Sequence, residues 1–487
     1  MPILSTILWL PLLAALLVVF IPSGQVRLIR GLAHAATGSV LLLVLFLLTR
    51  FDTTTSTLQF TELVYWNPQP GNRYALGLDG LSLPMLLLSG ALCWVAVLVS
   101  ASVSHHIKGY HIALLILEFG LLGVFLAQDW VLFCIVWEIT LIALFVLIDR
   151  WGGATRHAAS LNFALYTLGG SVFMLTALLV VFIQSGEHST TLAAMMKTAQ
   201  SLPREQQCWV LLGLCLGFGV NMPVFPLHGW LPLAHTEAPG SINILLSGVL
   251  LKMGAYGLLR AVGMLPDAAL VFQPWLAGLA LTGMLYGAIL AFHQTDLRVV
   301  AAYSSVSHMA SVLLGIATLN ETGLLGASLQ MTAHGLIAAI LFLLINLLYQ
   351  PGRKPGHYDG LIRIAPHVAL LFGLAWLASM SLPGTAGFVA ELHILLGSLQ
   401  SFGGLTAVAS LASLVGAVYA VRTTGRLWAD PAPPALQVFS DLNRNERIAA
   451  GLLAAAVVWP GLMPAPLTSL MNVSVTELAS LFAQRNL

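Results

Sequence analysis

Five titratable side chains stand where a chain this apolar should not tolerate them. Glu138 lies in Phe133-Cys-Ile-Val-Trp-Glu138-Ile-Thr-Leu-Ile. A carboxylate in the middle of such a run costs roughly 3 kcal/mol to insert in a bilayer. It must be paired, protonated or facing water, so it is either a proton-carrying group or a protonated glutamate bonded to a neighbouring helix. Lys252, in Leu-Ser-Gly-Val-Leu-Leu-Lys252-Met-Gly-Ala-Tyr, lies more than two turns from the inner end of its run, a long way to snorkel. Desolvation favours the neutral amine, so this lysine reads as a group that takes and gives a proton, or as half of a structural ion pair. Glu391 follows a break at Leu382-Pro383-Gly384. A half-helix starting there presents free N–H groups and partial positive charge, although Glu391 is about two turns further on. His308 and His334 sit in neighbouring runs beside several hydroxyl groups. They are either satisfied hydrogen-bonders or a relay working near neutral pH. His393, close to Glu391, carries a weaker case.

The elements that must position these groups are membrane helices. Of 487 residues, 58% are hydrophobic and 8% charged, against about 25% charged in soluble domains. The apolar runs reach the 18 or more residues needed to cross a bilayer. They are apolar all round, which excludes the alternation of a barrel strand. Fourteen spans are expected, near 3–22, 29–49, 81–103, 110–127, 130–148, 159–184, 207–228, 238–262, 269–292, 297–318, 322–349, 363–399, 405–427 and 448–470. The first reads as a retained span, lacking a basic leader and a cleavage site. The seventh is interrupted at Met222-Pro223 and Phe225-Pro226, the twelfth at Pro383.

Two broken spans an odd number apart face opposite ways, as two inverted five-helix repeats would place them, with ion sites near the midplane; proline kinks are also common in membrane helices. The expected organisation is 1–107 (helices 1–3), 108–263 and 264–428 (the two repeats), and 429–487 (a loop and the last helix). Thirteen of the twenty Lys and Arg residues, among them Arg353 and Lys354, fall in loops that are internal if the N-terminus is outside. The positive-inside bias therefore puts both termini on the non-cytoplasmic side.

Other chemistries find little support. Net charge is +1, without the basic patch of a nucleic-acid binder. Cys93, Cys134, Cys208 and Cys215 form no C-x-x-C pair and read as small core side chains. No metal site is expected: His228, His235 and Glu237 match no zinc spacing and read as a polar cytoplasmic bend between spans seven and eight. No dinucleotide fingerprint, phosphate loop or nucleophile elbow occurs, so no cofactor is expected in this chain.

Several stretches resemble the NuoM/NdhD/mitochondrial chain-4 family, the antiporter-like subunits of complex I and photosynthetic NDH-1. They are Leu78-Asp79-Gly80-Leu-Ser-Leu, Trp137-Glu138, Pro226-Leu-His228-Gly-Trp-Leu-Pro, Leu250-Leu-Lys252-Met-Gly-Ala-Tyr-Gly-Leu-Leu-Arg260, Tyr303-Ser-Ser-Val-Ser-His308-Met and Leu382-Pro-Gly-Thr-Ala-Gly-Phe-Val-Ala-Glu391. The resemblance implies fourteen helices, neighbouring membrane subunits as partners and a proton path. Glu138 resembles the modulating fifth-helix glutamate, Lys252 the central lysine, His308 and His334 its hydrated links, and Glu391 the exchange residue. It implies a proton-translocating subunit of a quinone oxidoreductase in a bacterial inner or cyanobacterial thylakoid membrane. Alternatives are a CO2-uptake variant of NDH-1, a cation/proton antiporter or membrane hydrogenase subunit, and a non-conducting scaffold. Two departures stand out. Asn221 occupies the position of the lysine that pairs with the fifth-helix glutamate, and Leu233 replaces an aspartate.

Overall fold

The computed structural model describes residues 2–67, 72–186, 189–349, 358–429 and 441–485. Helices dominate. Ile3–Phe20 (α1) and Val26–Arg50 (α2) lead into a two-stranded antiparallel hairpin, Gln59–Asn67 (β1) and Asn72–Leu78 (β2). Ser82–Val99 (α3), Ile107–Leu126 (α4), Trp130–Trp151 (α5) and Arg156–Gln184 (α6) follow, then the short Leu192–Ser201 (α7) and Arg204–Asn221 (α8). Leu231–Glu237 (α9) and Gly240–Leu245 (α10) precede a π-helical turn, Leu246–Leu250, that runs into Leu251–Met264 (α11). The second half holds Pro266–His293 (α12), Leu297–Ala317 (α13), Glu321–Leu348 (α14), Pro366–Ser379 (α15), Ala386–Phe402 (α16) and Thr406–Leu427 (α17). Arg444–Leu462 (α18) and Ala465–Ala483 (α19) end the chain. Arg353 and Lys354 lie outside the described residues.

Each expected span falls on a helix or a broken pair of helices. Among the described residues eleven helices are long and apolar enough to cross a membrane, or twelve if α18 and α19 count as one bent span. The shortfall from fourteen has local causes. A polar first turn, Arg204-Glu-Gln-Gln207, lowers the apolarity of α8. The twelfth span is divided: α15 is only 14 residues long, and its second half, α16, runs on with α17 as one 42-residue apolar stretch, Ala386–Leu427. Between α15 and α16 the backbone passes through positive φ at Ser381 (57°) and Gly384 (92°). At Gly384 this conformation comes without steric penalty.

Three elements were not anticipated: the hairpin, α7, and the separation of α19 from α18. The expected last span, 448–470, is wrong at its end. The chain bends by 69° after Leu462, and α19 lies along one face of the bundle. The carbonyl of Leu470 and the hydroxyl of Ser474 abut Gly80, Thr476 donates to Glu321, and Arg485 pairs with Asp267. These contacts tie the starts of α3, α12 and α14 together at that face. There the Asp79 carboxylate accepts from Arg260 of α11 at 2.5 Å. Burial pushes the Asp79 carboxyl up, and the Arg260 guanidinium with the Ser82 hydrogen bonds outweighs it, leaving Asp79 below the usual carboxylate range.

The helices that carry the candidate groups are the most enclosed. The 240–264 segment is almost wholly buried and α14 nearly so, whereas only about a third of α2 is buried. A helix apolar all round belongs inside a bundle, and a polar group on it must find its partners within the bundle. That condition gives Lys252 and His334 their interest.

Candidate functional site

Lys252 is fully buried. Its Nζ donates to the Ser247 carbonyl at 2.5 Å and to His334 Nδ1 at 2.7 Å. Ser247 lies in the π-helical turn, a distortion that often marks functional positions. The second bond depends on a close crossing of helices. A Cβ on Gly335, the residue after His334, would sit 2.8 Å from the Gly248 carbonyl oxygen and 2.5 Å from Leu88 Cδ2. Only glycines permit that approach, and it brings α14 to the lysine.

The hydrogen-bond pattern assigns the tautomer. His334 Nδ1 accepts from Lys252, so Nε2 carries the hydrogen and donates to Ser305 Oγ at 3.2 Å. Ser305 donates onward to the Ala301 carbonyl at 3.0 Å, which leaves Ser247 Oγ to donate to Ser305 at 3.1 Å. A second cluster lies beyond. His308 Nδ1 accepts from the Gln330 amide at 3.4 Å, and Nε2 donates to Ser379 Oγ at 3.2 Å. Tyr419 donates to Ser304 at 2.9 Å, and Ser304 and Ser379 lie 3.4 Å apart. The two clusters meet at the histidine rings, whose centroids are 5.2 Å apart. No hydrogen bond joins these rings directly among the described residues.

Glu391 ends this line of groups. Its carboxylate accepts from Ser381, at the break before α16, and from Ser413 of α17. A cavity of about 20 Å³ lies between His308, Ser379, Glu391 and Ser413. One water needs roughly 10–15 Å³ of such volume, so the cavity accommodates a single water with four polar neighbours. The structure therefore brings four of the five expected residues, Lys252, His334, His308 and Glu391, into one polar seam. His393 stays outside it, donating to the Val389 carbonyl of its own helix at 2.7 Å.

Glu138 stands apart. It lies on α5, and its Oε1 is buried without a partner among the described residues. Asn221, at the last position of α8, is buried, and neither its amide oxygen nor its amide nitrogen has a partner among the described residues. An asparagine could have donated to the glutamate in place of the usual lysine. No such bond forms.

A sixth group escaped the sequence reading. Glu118 of α4 is fully buried with neither oxygen partnered among the described residues. A Cβ on Gly120 would sit 2.3 Å from Thr140 Oγ1, so α4 and α5 cross closely there, and the antiparallel register leaves Glu118 and Glu138 about one helical turn apart in depth. The signal was a carboxylate in Leu-Leu-Ile-Leu-Glu118-Phe, as apolar a setting as that of Glu138. The stretch from His228 to Pro239, expected as a polar bend, is buried only in part: within it His235 is fully enclosed, stacks on Phe342 with centroids 4.2 Å apart, and is bonded to Asn243 at 2.9 Å.

Comparison with known proteins agrees with this architecture. Residues 127–416 match the family described as NADH:quinone oxidoreductase/Mrp antiporter, transmembrane. The chain is 37% identical over 481 residues to NADH-ubiquinone oxidoreductase chain 4 of Marchantia polymorpha, covering 98% of this chain and 96% of that one. It is also 37% identical over 493 residues to NAD(P)H-quinone oxidoreductase chain 4 1 of a Synechococcus strain, covering 98% and 93%. A chain of respiratory complex I from Thermus thermophilus superposes with a TM-score of 0.89 at 30% identity, over 99% of this chain and 100% of that one. With its fold and more than half of its length matched, this chain belongs to the NADH:quinone oxidoreductase/Mrp antiporter transmembrane family.

Proposed function

We propose that this chain is a proton-translocating membrane-arm subunit of an NDH-1/complex I-type quinone oxidoreductase. The single observation that carries the reading is the fully buried Lys252 amine held 2.7 Å from His334. An amine enclosed in apolar helices is costly, and this one sits at the head of a seam that ends on the Glu391 carboxylate. A proton leaving Lys252 passes to His334 Nδ1 while Nε2–H is released toward Ser305. It crosses the 5.2 Å between the rings by rotation of one imidazole or through a water, and reaches Glu391 by way of His308 and the small cavity. Glu138 serves as the carboxylate of the first repeat, where it biases the lysine rather than forming part of the seam.

The chain works beside other membrane subunits, as the similarity to complex I chains supports. Electron transfer belongs to those partners, and this chain holds no redox cofactor. The five-helix repeats correspond to 108–263 and 264–428, each with its break, at Asn221–Leu231 and Ser379–Ala386. Both termini lie on the non-cytoplasmic side of a bacterial inner or thylakoid membrane, by the positive-inside bias. That places the hairpin, α7 and α19 on the outer face.

A second reading rests on Asn221: a D-type subunit of an NDH-1 variant serving CO2 uptake, whose first repeat works without the usual lysine. The partnerless amide supports it. Co-purification with a CO2-hydrating partner would be its mark, and a complex without one would exclude it.

Substitution Lys252→Met tests the main reading. The complex should assemble and retain its electron-transfer arm, while proton translocation in sealed vesicles falls to background. Undiminished pumping would remove Lys252 from the path.

A further inference from the structure

A groove on the outer side of α4 and α5, remote from the seam, has no assigned role. Two antiparallel stripes form its walls: Lys108, Ile112 and Ile116 on α4, and Ile139, Ile142, Val146 and Arg150 on α5. The spacings are three and four residues, so each stripe is one helix face. Because the helices run oppositely, both cations lie at the same end, beside the α1–α2 turn at Ser23 and Val26. The groove encloses about 1040 Å³. It continues past Ile116 and Ile139 into a second, almost wholly apolar hollow that reaches Phe119, Trp9 and Leu12.

We infer that this groove binds an anionic membrane phospholipid, with its phosphate between Lys108 and Arg150 and an acyl chain along the isoleucine stripes. Three observations select that occupant. From Lys108 to Phe119 the groove runs about 16 Å at 1.5 Å per residue, close to half of a hydrocarbon core of about 30 Å. It therefore has the length of one leaflet. Charge appears at one end only, where a headgroup would be, and the walls between are apolar. Among the described residues neither cation has a carboxylate within ion-pair distance. Lys108 is held at the groove mouth by a 2.7 Å bond to the Val19 carbonyl, which uses one of its three N–H groups and leaves two for a phosphate. Asp149, the neighbour of Arg150, is bonded to His157 instead. A transmembrane helix from a neighbouring subunit would fit the apolar walls, but it would have to bring a carboxylate to the cation pair. A phospholipid brings the phosphate to that depth by its nature, and basic pockets between helices at a membrane surface are where anionic headgroups collect.

The test uses the intact complex, purified in mild detergent, stripped of loosely held lipid and re-equilibrated with phosphatidylglycerol or phosphatidylcholine. Retained lipid is counted by mass spectrometry. Two variants accompany the wild type. Arg150→Gln removes one cation and leaves the Lys108–Val19 bond in place. Ile142→Trp fills the groove without changing charge. The wild-type complex should hold one phosphatidylglycerol per chain more firmly than phosphatidylcholine. Arg150→Gln should weaken that hold about fivefold, the equivalent of about 1 kcal/mol per cation near a membrane surface, and Ile142→Trp should abolish it. Equal retention of the two lipids by the wild type would overturn the proposal, as would retention unchanged in both variants. A neighbouring subunit's helix seated between Lys108 and Arg150 in a map of the complex would overturn it as well.

Discussion

Lys252 Nζ lies 2.7 Å from His334 Nδ1, and this contact exists because two glycines, Gly248 and Gly335, let α14 cross the 240–264 segment backbone to backbone. The proton-transfer geometry thus depends on residues that carry no chemistry themselves.

Replacing Gly335 with alanine should separate the pair. The new methyl meets Leu88 and the Gly248 carbonyl oxygen at 2.5 and 2.8 Å, and a backbone carbonyl cannot rotate away. Overpacking of this kind costs about 1–3 kcal/mol. The expected result is a lower melting temperature for the complex and at least a tenfold loss of pumping. Full pumping in Gly335→Ala would show that proton transfer tolerates a longer Lys252–His334 distance.

Glu138 and Lys252 should respond unequally. The amide of Asn221 is partnerless, so no cation at that position holds Glu138 in register with the lysine. Glu138→Gln is expected to keep roughly half of the proton flux, while Lys252→Met keeps none, with both rates measured in the same vesicles. In an Asn221→Lys background the cost of Glu138→Gln should increase severalfold. Equal losses in the two single variants would restore Glu138 to the core of the path.

Glu118 allows a separation of stability from function. A buried carboxyl without a partner pays a desolvation cost of about 1–3 kcal/mol. Glu118→Leu should therefore leave the complex as stable or more so in thermal melts. If the carboxyl at this depth serves proton traffic, the same variant pumps more slowly. A destabilised Glu118→Leu complex would instead mark a structural hydrogen bond.

The Asp79–Arg260 pair predicts an acid limit. Asp79 titrates below the usual carboxylate range, because Arg260 and the Ser82 hydrogen bonds outweigh its burial. A depressed folded pKa means that its stabilisation is present above the unfolded value, near 3.9, and is lost as pH falls through the folded value. Melting temperature should therefore be insensitive to this pair from neutral pH down to about 4, and fall below that. Asp79→Asn leaves the guanidinium buried and uncompensated, at a cost of about 3–5 kcal/mol. Its melting temperature should be depressed at neutral pH, lack the acid-side step, and converge with that of the wild type below the step.

Much of this was legible in the chain itself. The apolar runs fixed the helices, because a span must satisfy its own backbone in lipid. Pro223, Pro226 and Pro383 located the breaks, because proline cannot donate the helix hydrogen bond. Lys252, Glu138 and Glu391 identified themselves by charge in an apolar setting. Other features were readable and passed over. Asn67-Pro-Gln-Pro-Gly-Asn72 separates two strand-like runs, and Glu118 is as conspicuous as Glu138.

The rest belongs to tertiary structure. No spacing in the sequence says that Lys252 meets a histidine 82 residues away, since that contact is set by how closely two helices cross. Nor does the sequence say that Asn221 and Glu138 form no bond, that one water-sized cavity separates His308 from Glu391, or that α19 turns by 69° to lie across the bundle. The sequence determined which side chains a membrane would force into partnership, through the cost of burying charge. The packing of the helices decided which partners they found, because hydrogen bonds form within about 3 Å and only the folded chain sets distances on that scale.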